Sequence, residues 1–106
     1  MDTTHKESLV EKAKAYQQKG DLANAEIFFS EALSNDPNSV ETLSNLGMLY
    51  LMKGNAQQAI DSWQKALSLD PENLESLSNL GFICTQIQDF QNALIYLEKA
   101  SKVAPE

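Results

Sequence analysis

The chain has 106 residues, 42% of them apolar, and a net charge of −7, from 15 acidic side chains against eight basic ones that are all lysine. That length allows one small domain or a short repeat array, and the apolar fraction suits a folded chain rather than a disordered one. The acidic balance and the absence of arginine argue against the basic face that nucleic acid or an anionic membrane surface demands.

The start, Met1 to Glu7, is polar and lacks the apolar core of a signal peptide. Thr4 and Glu7 have the spacing of a capping box that opens a first helix. Gly20 closes that helix and Asp21 caps the next, which carries Ala25, Phe29 and Ala32 and stops at Asp36-Pro37. A third helix follows, with Leu43, Leu46, Gly47 and Tyr50 at three- and four-residue intervals. Lys53-Gly54 ends it, because glycine takes the left-handed conformation of a helix C-terminus. Asn55 is the expected cap of a fourth helix bearing Ala59, Trp63, Ala66 and Leu67, closed by Asp70-Pro71. The fifth repeats the pattern from Leu77 to Cys84, and the sixth runs from a cap at Asp89 to Ala104-Pro105.

The pattern is a tandem repeat. Pro37, Pro71 and Pro105 lie 34 residues apart, and the same shift superposes Ala25, Ala59 and Ala93, then Ala32, Ala66 and Ala100. Phe29, Trp63 and Leu97 share a large apolar column; Tyr16, Tyr50 and Cys84 share another. The string Leu-Ser-Asn-Leu-Gly occurs at 43–47 and again at 77–81. The expected organisation is one domain over 1–106, in units 6–39, 40–73 and 74–106. Small residues at Gly47, Gly81 and the alanine columns let two helices approach. The aromatic columns then fill the space against neighbouring hairpins, and the array stands only by stacking.

These residues resemble the tetratricopeptide repeat. The middle unit matches its signature at Leu43, Leu46-Gly47, Tyr50, Gly54, Ala59, Trp63, Ala66 and Pro71. The third departs at Cys84, Gln88 and Leu97, and the first at Lys12-Ala13. The resemblance implies an all-α fold: a right-handed solenoid of three helix-turn-helix hairpins whose first helices line a concave groove. It implies a non-catalytic protein-binding scaffold that takes an extended peptide or a partner helix, without a cofactor.

By column, that groove would hold Glu7, Val10, Glu11, Lys14 and Gln17 from the first unit. The second would add Glu41, Ser44, Asn45, Met48, Leu51 and Met52, and the third Glu75, Ser78, Asn79, Phe82, Thr85 and Gln86. The expected partner-binding set is Val10, Lys14, Asn45, Met48, Met52, Asn79 and Phe82. Asn45 and Asn79 share a column, and an amide both donates to and accepts from a peptide backbone. This resembles the asparagine ladder in the repeats of the glycosyltransferase that adds N-acetylglucosamine to proteins; local hydrogen bonding is the equal alternative. Met48, Met52 and Phe82 make an apolar strip suited to a partner, while Leu51 fits contact or interhelical packing alike. Glu7, Glu41 and Glu75 form a column that stabilises helix N-termini and also makes an acidic rim. The expected ligand is therefore neutral to basic and partly apolar. The clamp that related co-chaperones use for acidic C-termini is not present. Its columns read Val10, Lys14, Asn45, Glu75 and Asn79, and Glu75 would repel a terminal carboxylate.

No catalytic or metal-binding motif stands out. His5 has no cysteine beside it, and Cys84 sits in the tyrosine column as a buried hydrophobe. A lone cysteine, with no apolar run long enough for a membrane span, fits a cytoplasmic protein. At the far end Leu94, Leu97, Ala100 and Val103 would be left partly open to water. That implies either a piece of a longer repeat protein or a face covered by a partner or another copy.

Overall fold

Helix boundaries fall where the turn and proline signals place them. The computed structural model describes the backbone of residues 3–104 and the side chains of residues 9–104. It contains α1 (Thr3–Gln18), α2 (Leu22–Asn35), α3 (Val40–Met52), α4 (Ala56–Leu69), α5 (Leu74–Gln86) and α6 (Phe90–Val103). The Thr4–Glu7 capping pair, Glu7 as a rim carboxylate and His5 lie outside the described side chains.

Within each hairpin the turn is the same. The Asp21 N–H donates to Tyr16 O at 2.9 Å, that of Asn55 to Tyr50 O at 2.8 Å and that of Asp89 to Cys84 O at 2.8 Å. Each bond needs a left-handed residue just before the donor. Gly20 and Gly54 supply it with φ of 84° and 83°, and in the third turn Gln88 is held at 67°. Asp21 and Asp89 cap α2 and α6 through their side chains. Asn55 occupies the cap position of α4 but makes no side-chain cap bond. Ser39 and Asn73, neither anticipated, cap α3 and α5 by accepting from Thr42 and Ser76 N–H.

The principal contacts join consecutive helices, so the hairpins stack in chain order into an all-α solenoid of 44 × 26 × 23 Å. The first core cluster joins Leu9, Ala13 and Phe29 to Leu46 and Leu49 of the next hairpin. The second joins Ala59 and Trp63 to Leu80 and Ile83. Tyr50 packs against both clusters and ties them together. The small-against-large columns explain the closeness of each pair. A methyl placed on Gly47 would lie 2.3 Å from the Trp63 indole nitrogen, and one on Gly81 2.4 Å from Leu97 Cδ2. Phe29 and Trp63 are fully buried, whereas Leu97 in the same column is 45% exposed. Leu94 and Val103 are open as expected, but Ala100 is buried.

Candidate functional site

The first helices α1 and α3 are joined along one side of the stack by two side-chain contacts. Lys14 Nζ pairs with Glu41 at 3.4 Å, and Gln17 Nε2 donates to the Met52 sulfur at 3.2 Å. Both join residues of the expected groove, so this line is continuous from the first unit to the second. A further ion pair, Lys53 with Glu26, fastens the α3–α4 turn to α2. Neither pair recurs in the next unit, where the same columns hold Met48 with Glu75 and Ile60 with Ile87, so the repeat gives no sign of them.

The seven expected contact residues divide in three ways. Val10 is a correction: it is buried, and it belongs to the core cluster with Leu9 and Phe29. Ser44, in the same column, is also fully buried, whereas Ser78 in the third unit is exposed. Val10 lies in the cluster that the second hairpin closes with Leu46 and Leu49. Lys14 is half-buried and engaged with Glu41, so its charge is already answered. Met48 and Leu51 are half-buried and both pack against the second core cluster.

Met52 and Phe82 stand out in the open, at 48% and 52% exposure. Asn45 and Asn79 are half-buried, and the Asn45 Nδ2 is cut off from water without an acceptor. A buried donor left unpaired costs about 1–3 kcal/mol, so such atoms are rare in a resting surface. Glu41 and Glu75 both lie in the first turns of α3 and α5 and are exposed.

Other polar features belong to packing. The Trp63 indole N–H donates to Ser44 O at 3.1 Å inside the core. Burial pushes the Cys84 thiol up from its ordinary value, with the Asp89 carboxylate adding to the effect. A thiol held neutral is a poor nucleophile. Burial likewise raises Tyr50, helped by Glu26 and opposed by Lys53. Among the described residues no group of three or more His, Cys, Asp or Glu side chains is placed to hold a metal ion. No described helix is long and apolar enough to cross a membrane.

The tetratricopeptide-repeat sequence profile matches residues 38–106, and a second profile of the same description matches residues 6–39. The chain belongs to the tetratricopeptide-repeat family. Repeats of this family mediate protein–protein interaction, and its members are typically non-catalytic scaffolds. The chain matches no curated protein. Among solved structures it is similar to the Sgt2 tetratricopeptide domain of Aspergillus fumigatus, at 22% identity and a TM-score of 0.89, over 96% of this chain and 68% of that one. That likeness shows the fold alone. MamA aligns at 25% identity and a TM-score of 0.87, over 98% of this chain and 61% of its own. A tetratricopeptide repeat protein of Parabacteroides merdae aligns at 30% identity and a TM-score of 0.85, over 95% of this chain and 41% of its own.

Proposed function

We propose that this tetratricopeptide chain is a non-catalytic cytoplasmic scaffold that binds a peptide or a partner helix along the groove formed by α1, α3 and α5. The observation that carries the reading is the exposure of the apolar side chains of Met52 and Phe82 on the first helices of successive units. The apolar side chains of a bound segment would cover them, and the half-buried amides of Asn45 and Asn79 would meet its backbone, Asn45 by turning its amide outward. Glu41 and Glu75 bias the ligand toward a neutral or basic segment.

The test is affinity capture from the native lysate with the intact protein beside Asn45→Ala/Asn79→Ala, followed by affinity measurement on the partner identified. Lost affinity with an unchanged melting temperature is the expected result. Undiminished affinity in the double variant would remove the groove from the account.

A second reading rests on a separate observation, the exposure of Leu94 and Leu97 on α6. These side chains would serve self-association through the last hairpin. Light scattering at high protein concentration decides it, since a strict monomer counts against the reading. Leu97→Glu should dissolve any oligomer while leaving groove binding intact.

A further inference from the structure

The outer face of the first hairpin carries a feature that neither the groove nor the stack explains. Tyr16 of α1 and Phe28 of α2 stack in parallel, with centroids 5.6 Å apart and planes inclined by 3°. Lys12 Nζ lies 5.8 Å from the Phe28 ring centre and Lys19 Nζ lies 6.0 Å from that of Tyr16. With Ala15, these four side chains line an open depression of about 310 Å³.

Lys12, Ala15 and Lys19 are one stripe of α1, and the 34-residue repeat shows what that stripe does elsewhere. In the second and third units the columns of Lys12 and Ala15 hold Leu46 with Leu49, and Leu80 with Ile83, all buried against the preceding hairpin. On the first hairpin the same face has cations and an aromatic floor.

Two properties separate this spot from an ordinary solvated surface. Lys14 and Lys53 are neutralised by Glu41 and Glu26, but neither Lys12 nor Lys19 forms an ion pair among the described residues. Their ammonium groups rest over rings instead, which limits their motion and keeps their donors available to an anion. In a chain of net charge −7, two unanswered cations flanking an aromatic floor form a local inversion of the field.

We infer that this face is a second docking site, for an acidic peptide segment that places one aromatic or aliphatic side chain in the depression lined by Ala15 and the exposed parts of Tyr16 and Phe28, between carboxylates reaching Lys12 and Lys19. Nucleic acid suits the site less well. A nucleic acid draws its affinity from a run of phosphates laid over several cations, and this face offers two. The site is separate from the groove, so its fate does not depend on the groove reading.

The probe is an acetylated, amidated heptapeptide with tryptophan at its centre and three glutamates on either side, titrated into the intact isotope-labelled protein by NMR. Saturable shifts at Lys12, Tyr16, Lys19 and Phe28 are expected, weakening as salt is raised. Lys12→Glu/Lys19→Glu should weaken binding by roughly tenfold or more, since each reversal replaces a surface attraction with a repulsion. A circular-dichroism melt confirms that this variant folds, and Lys12→Gln/Lys19→Gln, which removes charge without adding any, should lie between the two. The inference is overturned by an absence of saturable shifts, by shifts centred on Asn45 and Phe82, or by equal affinity for the heptapeptide with lysines in place of glutamates. Stronger binding of a single-stranded oligonucleotide at the same residues would overturn it as well.

Discussion

Replacing Gly47 with alanine tests the packing of the central hairpin directly. The added methyl would lie 2.3, 2.5 and 2.6 Å from Nε1, Cε2 and Cδ1 of Trp63, far inside van der Waals contact. Trp63 is completely buried and cannot swing into solvent, so either the indole or the helix pair must shift. Such overpacking costs about 1–3 kcal/mol. The shift also strains or breaks the indole N–H bond to Ser44 O, worth about 1 kcal/mol net. Against this, alanine is better than glycine inside a helix by about 1 kcal/mol. The net is a loss of about 2 kcal/mol, or roughly 10 °C in melting temperature for a domain this size. Gly81→Ala is the matched control in the same column, with the same propensity gain. Its methyl would meet Cδ2 and Cγ of Leu97, but that side chain is 45% exposed and has room to turn outward. That variant should be neutral or up to about 1 kcal/mol more stable. Urea and thermal unfolding followed by circular dichroism measure both, and Trp63 fluorescence reports the indole's displacement. A Gly47→Ala protein as stable as Gly81→Ala would refute the account of the small-residue column.

Three further changes probe other links. Gln88→Gly should stabilise the third turn by roughly 0.5–1 kcal/mol, because the residue sits at φ 67° where the other two turns use glycine; a lower urea midpoint would contradict this. Ser44→Ala should be neutral or mildly stabilising, since its hydroxyl is fully buried without a partner; a large loss would mean an unrecognised hydrogen bond there. Stability should fall as pH rises through the unfolded thiol's range near about 8.5, because the fold holds Cys84 neutral and the unfolded chain releases the proton first. Cys84→Ala should flatten that limb between pH 8 and 9.5 in urea titrations, apart from a later decline as Tyr50 ionises.

What the sequence discloses here depends on how local the determining physics is. Gly54, Asp70-Pro71 and the capping aspartates act within a few residues, so hairpin boundaries could be placed without coordinates. The Gly47–Trp63 fit was legible because a repeated small column faced a repeated large one. Groove exposure was only partly legible. Val10 and Ser44 sit in the column of exposed Ser78, and the column alone does not say which of its members a neighbouring hairpin covers. Met48 likewise differs from Met52 by a rotation of only about 40° about the α3 axis, which periodicity alone does not resolve. The Tyr16–Phe28 stack was missed for a different reason. Its column partners in the next unit are Tyr50, which joins two cores, and Ser62, so comparison between units gives no hint of a pair.

The two ends of the stack also constrain how copies of the chain can meet. An end-to-end arrangement would continue the internal stacking by placing the first hairpin of one copy on the last hairpin of another. The columns of Lys12 and Lys19 would then occupy the places that Leu46 and Lys53 hold against α2. Within the chain, Leu46 shares its cluster with Phe29 and Lys53 meets Glu26. At the junction of two copies the corresponding α6 residues are Leu97 and Leu94, which offer no carboxylate to either lysine. Lys19 would stay in water as Lys53 does, but Lys12 would take the place of Leu46, which is 4% exposed. Removing its unpaired ammonium from water costs several kcal/mol, which offsets much of what the two leucines return at about 1.5–3 kcal/mol apiece. Lys12 therefore acts against filament growth by this route, and a copy that covers Leu94 and Leu97 with its own α6, closing a symmetric pair, avoids that cost.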